Sequence, residues 1–146
     1  MQEDYGSIVC LLHEAHRVIC EREREALRKI GISFPQIMIL GYLHRNTNEE
    51  VNQRKICEIM RLKGSSVTSL MNNMEKNGLI KRRTDPSDGR GNIIELTEKG
   101  KETALKIRGI LDEIDEKSVS IFDDDEKKEI ERLLLKIKSI AKQERF

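Results

Sequence analysis

Tryptophan is absent from this 146-residue chain, and proline occurs only twice. Aromatic residues make up 3% of it. That scarcity disfavours a β-sandwich and favours amphipathic helices with solvated faces. Apolar residues come in runs of only a few, so no membrane-spanning segment is expected. The three cysteines are an odd number in no zinc-ligand pattern, which fits a reduced, cytoplasmic protein without a metal site. The opening MQEDYGSIVCLLHEAHR has neither a basic region nor a cleavage site and does not read as a signal peptide. There is no glycine-rich phosphate loop, no paired-carboxylate cleft signal and no nucleophile with its base. No enzyme activity, catalytic residue or cofactor is expected.

Charge is plentiful, at 36% of residues, and nearly balanced, with a formal net of +1. Its distribution is uneven. Residues 52–101 hold eleven basic side chains against six acidic ones, a net of +5. Residues 111–131 hold ten acids against three lysines, a net of −7. A basic middle beside an acidic C-terminal part implies one surface that meets phosphates and another that does not.

The periodicity predicts a mainly α chain (α+β) of four helices, a hairpin and two more helices. The first helix is predicted over residues 4–30 with Gly31 as its stop. One stripe of it carries Ile8, Leu11, Leu12, Ala15, Val18, Ile19 and Ala26 and is read as a core face. A second carries Val9, His13, His16, Cys20 and Leu27, and a partner subunit is its expected contact. Ser33-Phe-Pro-Gln36 reads as a capping box that starts a helix to His44, with Phe34 and Met38 expected in the core. Asn52 caps a short helix to Met60. A turn at residues 62–64 leads into a helix over 65–77, stopped by Gly78. Strands are predicted over 80–84 and 92–96. Thr97 caps a helix to Ser118, and Asp123 with Glu126 forms a second capping-box pattern before the last helix. There Ile130, Leu133, Leu134, Ile137 and Ile140 recur at near-heptad intervals.

Two short helices joined by a turn are a helix-turn-helix arrangement. On the second of them Val67, Leu70, Met71 and Met74 share the face to be buried. Ser65, Ser66, Thr68, Ser69, Asn72, Asn73 and Lys76 occupy the rest. That outer face is small and polar, without the Glu/Lys pairs of an ordinary solvated helix. Hydroxyls and amides there can bond phosphates and base edges, and asparagine can pair with adenine. The free N–H groups of the first turn near Ser65 and Ser66 add a phosphate site. Beyond Gly78 come Lys81, Arg82 and Arg83, then the turn Asp85-Pro-Ser-Asp88-Gly-Arg90. A basic hairpin beside such a helix can follow the backbone and insert one arginine into a narrow minor groove. Asp85 and Asp88 can serve the turn, and Asp88 can also orient Arg90.

Residues 52–100 resemble the winged helix-turn-helix of MarR-type transcriptional regulators. The likeness rests on Gly64-Ser-Ser-Val-Thr, on Met74-Glu-Lys-Asn-Gly-Leu-Ile-Lys-Arg, on Asp85-Pro-x-Asp-x-Arg90 and on Leu96-Thr-Glu-Lys-Gly100. The flanking helices match in length and order, so the whole chain, 1–146, reads as one MarR-type domain. Residues 33–97 would be a winged helix-turn-helix lobe with a two-stranded wing, and 1–31 with 98–146 a helical dimerisation region. The resemblance implies a homodimer on a pseudopalindromic operator in double-stranded DNA. Release by a small-molecule effector or by oxidation is also implied. Arg90 would be the wing-tip arginine; members of the family often carry arginine where this chain has Gly89. A dimer also follows physically, because one short helix-turn-helix offers few contacts and two copies spaced by a DNA turn supply more.

Other side chains admit rival readings. Cys10, His13, His16 and Cys20 lie on one arc of the first helix, which suits an interface, and Cys10 with Cys20 could form a thiol switch. Cys57 reads as a small buried hydrophobe, and His44 as a partner for the carbonyls of its helix end. Tyr5, Phe34, Met38 and Tyr42 could line an effector pocket. Against DNA binding stands a winged helix that docks proteins, whose recognition helix should be acidic or apolar.

Overall fold

The structure, a computed structural model, describes residues 6–87 and 91–143. Tyr5, Asp88 and Arg90 lie outside the described residues. The element order is α1 (Ile8–Leu27), α2 (Phe34–Arg45), α3 (Gln53–Met60), α4 (Gly64–Lys76), β1 (Ile80–Thr84), β2 (Asn92–Leu96), α5 (Glu98–Val119) and α6 (Asp124–Gln143). The predicted sequence of elements is therefore present, and both strands have the predicted bounds. Among the described residues no helix is long and apolar enough to cross a membrane.

Local chemistry explains the boundaries. Ser7 accepts from the Cys10 N–H and starts α1 within the span predicted to be helical, and a 3-10 turn (Arg28–Ile30) follows it. Gly31 then stops the chain at φ 74°, a left-handed conformation that glycine adopts without steric cost. Gln36 Oε1 accepts from Ser33 N–H at 2.9 Å, one half of the expected capping box. Asn52 Oδ1 accepts from Lys55 N–H at 2.9 Å and opens α3. At α6, Asp123 Oδ1 accepts from Glu126 N–H at 2.9 Å, while Glu126 Oε2 accepts from Asp123 N–H at 3.0 Å. That box is closed in both directions.

The chain divides into two compact units, Met1–Leu111 and Asp112–Phe146. In the first, Ile39 and Leu40 of α2, Ile56 of α3 and Val67, Met71 and Met74 of α4 form the deepest layer. Ile80, Ile94, Ala104 and Ile107 complete it from the sheet and α5. Each side chain of that size removed from water contributes about 2 kcal/mol. β1 and β2 pair antiparallel from Ile80↔Leu96 to Thr84↔Asn92. An isolated bridge between Asn52 and Ile93 joins the chain before α3 to β2, with the Val51 carbonyl accepting from Ile94 N–H at 2.7 Å.

Two expectations about apolar faces are corrected. Of α1 only Leu27 is buried; Ile8, Val9, Leu11, Val18 and Ile19 are exposed, so neither stripe is a core face of this chain. Phe34 and Met38 are 49% and 43% exposed rather than core. Ile39, Leu43, Gln36, Leu40 and Ile37 fill the inward arc of α2, and at 100° per residue Phe34 and Met38 fall opposite it. In α6 Ile130, Leu133, Leu134, Ile137 and Ile140 are all exposed as well.

Candidate nucleic-acid interface

α3 and α4 form the helix-turn-helix. Arg61 ends α3 in the left-handed region at φ 51°, and Leu62 N–H donates back to Cys57 O at 3.2 Å. Gln53 ties the two helices together, its Nε2 donating to Thr68 Oγ1 at 2.6 Å. Cys57 is only half-buried, packed against the core. Lys63 precedes α4 without making a side-chain cap, and the first turn holds no acid. The N–H groups at that end therefore keep their capacity for an anion, and the helix dipole favours one there.

α4 divides its residues as the periodicity requires. Val67, Met71 and Met74 are fully buried and Leu70 is half-buried. Ser65, Ser66, Thr68, Ser69, Asn72, Asn73 and Lys76 are all exposed. Several are already engaged within the chain. Thr68 Oγ1 donates to Gly64 O at 2.8 Å and Ser69 Oγ to Ser65 O at 3.2 Å. Asn73 Oδ1 accepts from Gln36 Nε2 at 2.6 Å and from Asn77 Nδ2 at 2.9 Å. Asn72 Oδ1 accepts from Arg82 Nη2 at 2.8 Å. The helix is thus held on one flank by α2 and on the other by β1.

The wing is less freely cationic than its sequence implies. Lys81 sits 3.3 Å from Glu95, and Arg82 lies 3.7 Å from Glu75 besides holding Asn72. Arg83 bridges Glu95 at 2.7 Å and Glu50 at 2.8 Å, joining the wing to the loop before α3. The hydrogen bond from Arg83 holds the Glu95 carboxyl below the usual glutamate range, with Lys81 adding to the effect. In return Glu95 and Glu50 raise the Arg83 guanidinium. These acids lie far along the chain or across the hairpin, so a local count of Lys81, Arg82 and Arg83 could not register them. At the start of the turn Asp85 Oδ1 accepts from Ser87 N–H at 2.8 Å, and Asp85 N–H donates to Gly91 O at 2.9 Å. That is the turn chemistry expected of Asp85; Asp88 and Arg90 are outside the described residues.

Residues 97–100 have a role that their sequence hid. Thr97 Oγ1 donates to Gly78 O at 2.5 Å and accepts from Gly100 N–H at 3.0 Å. Thr97 N–H donates to Leu79 O at 3.2 Å, and Lys99 Nζ to Asn77 O at 2.8 Å. Thr97 does cap α5, but this run also grips the three residues that follow α4. Gln36 was equally hidden. Its cap position was legible, yet nothing local reveals that its other end reaches Asn73.

On α1, Cys10 is exposed and Cys20 half-buried. Cys20 Sγ lies 3.4 Å from His16 Nε2. Among the described residues no third histidine, cysteine or carboxylate joins them in a group able to hold a metal ion.

Comparison with known proteins agrees with this geometry. The sequence model of the MarR family matches residues 30–91. The organic hydroperoxide resistance transcriptional regulator of Bacillus subtilis (strain 168) is 32% identical over 104 residues, which are 69% of each chain. A variant of MepR from Staphylococcus aureus superposes with a TM-score of 0.83 at 25% identity, over 92% of this chain and 98% of that one. MepR in its complex with DNA gives a TM-score of 0.77 at 25% identity, over 95% of this chain and 99% of that one. The extent of shared sequence, together with a helix-turn-helix and wing built on the same plan, makes this chain a member of the MarR family of DNA-binding transcriptional regulators.

Proposed function

We propose that the chain acts as a homodimeric repressor on a pseudopalindromic operator. The reader is the lobe of residues 33–97; residues 1–31 and 98–146 pair two copies. One observation carries the reading: α4 offers an exposed polar face and an uncapped N-terminus from a helix braced on both flanks. Ser65, Ser66, Thr68, Ser69, Asn72, Asn73 and Lys76 face the major groove, and Arg90 reaches the minor groove with Asp88 orienting it. Arg82 and Arg83 lie along the backbone side of the wing. The apolar residues left exposed on α1 and α6 favour the dimer, since single chains rarely expose so much apolar surface without a partner.

The test is a gel shift of the full chain with the DNA upstream of its own gene at two salt concentrations. A specific shift that weakens steeply with salt supports the reading. No shift with any upstream fragment would favour a protein-docking winged helix. Arg90→Ala should weaken the shift while the dimer persists; unchanged affinity refutes the wing assignment.

Release by a small ligand is part of this reading, with exposed Phe34 and Met38 as its apolar contacts. The Cys20–His16 contact favours a second reading, release by oxidation, and the Bacillus subtilis relative is by name a regulator of organic hydroperoxide resistance. A Cys10→Ser, Cys20→Ser double variant should then keep its DNA in peroxide. Release equal to that of the unmodified chain sinks the oxidative reading.

A further inference from the structure

Some hydrogen-bonding groups have no choice of role. A backbone N–H can only donate, and so can a guanidinium, whereas a carboxamide can present either end. Two such fixed donors determine the polarity of α4. Ser33 N–H lies 2.9 Å from Gln36, so Gln36 must turn Oε1 toward it and Nε2 away. That Nε2 lies 2.6 Å from Asn73, whose facing atom must then be Oδ1. Asn77 Nδ2 donates to the same oxygen at 2.9 Å, which fills both of its lone pairs. On the opposite flank Arg82 Nη2 lies 2.8 Å from Asn72, so the facing atom there is also Oδ1.

The bracing is firm on the α2 side. Gln36 is only 5% exposed, and reversing it would leave buried polar atoms unpaired. Both asparagine oxygens are thereby turned toward the protein, one to α2 and one to β1. What remains on each exposed carboxamide is its Nδ2, and no described residue accepts a hydrogen bond from either.

We propose that Asn72 and Asn73 are donor-only specificity residues, and that Gln36 and Arg82 are the positioning residues that make them so. This rests on the DNA-binding reading above. A bidentate asparagine–adenine pair needs Oδ1 to accept from N6 while Nδ2 donates to N7. Asn73 Oδ1 has no lone pair left for N6, and Asn72 Oδ1, with one lone pair filled, is held facing Arg82, so neither side chain makes that pair. The two side chains bond acceptors on the DNA, such as a phosphate oxygen or a purine N7, and leave adenine N6 unread.

The test uses the full chain and a duplex that it enriches from a random-sequence pool. Each adenine in the duplex is replaced in turn by purine, which lacks the N6 amino group. Each purine base is replaced by its 7-deaza analogue, and each phosphate by a methylphosphonate. Affinities are measured for the unmodified chain, Asn72→Ala and Asn73→Ala. Each alanine variant should bind about three- to tenfold more weakly. Loss of N6 should leave the unmodified chain within about twofold at every base coupled to an asparagine. The 7-deaza and methylphosphonate series then separate a base acceptor from a phosphate. An N6 dependence that disappears in either alanine variant overturns the proposal, and so does full affinity in both variants. Failure to enrich any duplex instead overturns DNA binding itself, and this proposal with it.

A variant tests the orientation directly. Gln36→Glu keeps an acceptor for Ser33 N–H but presents an oxygen to Asn73, which must turn its Nδ2 inward. Where the 7-deaza series couples Asn73 to a base, an N6 dependence absent from the unmodified chain should then appear; where Asn73 meets a phosphate, affinity should fall as an oxygen replaces the donor. Unchanged affinity with no new N6 dependence in a folded variant overturns the relay. If Gln36→Glu does not fold, the base-analogue series decides alone.

Discussion

Gly100 stands against the backbone of Leu79 so closely that a Cβ on it would lie 2.0 Å from the Leu79 carbonyl oxygen. The same Cβ would meet Leu79 C at 3.0 Å and Leu96 Cδ2 at 3.2 Å. The obstacle is a main-chain carbonyl, which no rotamer change relieves. Gly100 is needed for this close approach of α5 to the end of the recognition helix.

Gly100→Ala should therefore destabilise the fold by about 3 kcal/mol or more, an overpacking cost at the upper end of its range. Urea unfolding measures it. A midpoint equal to that of the unmodified chain would show that the contact is looser than described.

Arg82 binds Asn72 and approaches Glu75, with its side chain 21% exposed. Arg82→Ala should weaken operator binding by disturbing α4. If Arg82 acts chiefly through Asn72, the slope of log affinity against log salt stays the same. A slope smaller by about one phosphate would identify Arg82 as a direct backbone contact instead.

Glu95 is held below the ordinary glutamate range, first by Arg83. A depressed carboxylate contributes stability above its unfolded pKa, about 4.3, and the contribution disappears as pH falls through the lower folded value. The stability difference between the unmodified chain and Glu95→Gln should thus be steady from pH 7 to about 5 and shrink below about 4. Thermal melts across that range read it. An equal difference at pH 3 and pH 7 would mean that the ion pair is not its source.

On α6 Leu133 and Ile137 are each 44% exposed and one helical turn apart. Leu133→Glu with Ile137→Glu should keep the helical circular dichroism, since neither is a core residue. Sedimentation should show monomers, and operator affinity should fall by more than about tenfold as half the contacts are lost. Dimers that persist with full affinity would place the pairing surface elsewhere.

Much of this fold was legible because its signals are local. Gly31 and Gly78 stop their helices with positive φ, Asn52 and Asp123 cap theirs, and Val67, Met71 and Met74 keep a helical spacing. The fate of the apolar stripes was not legible. Periodicity shows that Ile8, Leu11 and Val18 share a face, but it cannot say whether the same chain covers that face. The site was legible in part. Exposure of residues 65–76 follows from helical period, whereas the hold of Gln36 on Asn73 spans 37 residues and that of Arg83 on Glu50 spans 33. Pairings across such distances leave no mark in any local pattern.

The grip of residues 97–100 on residues 77–79 also sets when the end of α4 can be fastened during synthesis. Thr97 and Lys99 supply the donors to the carbonyls of Asn77, Gly78 and Leu79, and Gly100 supplies the close fit. A nascent chain that has emerged only through Leu96 already holds every residue of α3, α4 and the wing, yet lacks the donors that fasten the end of α4. The fastening of the end of α4 therefore arrives only with the first turn of α5. A truncated product ending before Thr97 would hold all of α4 and still lack the donors that fasten its end.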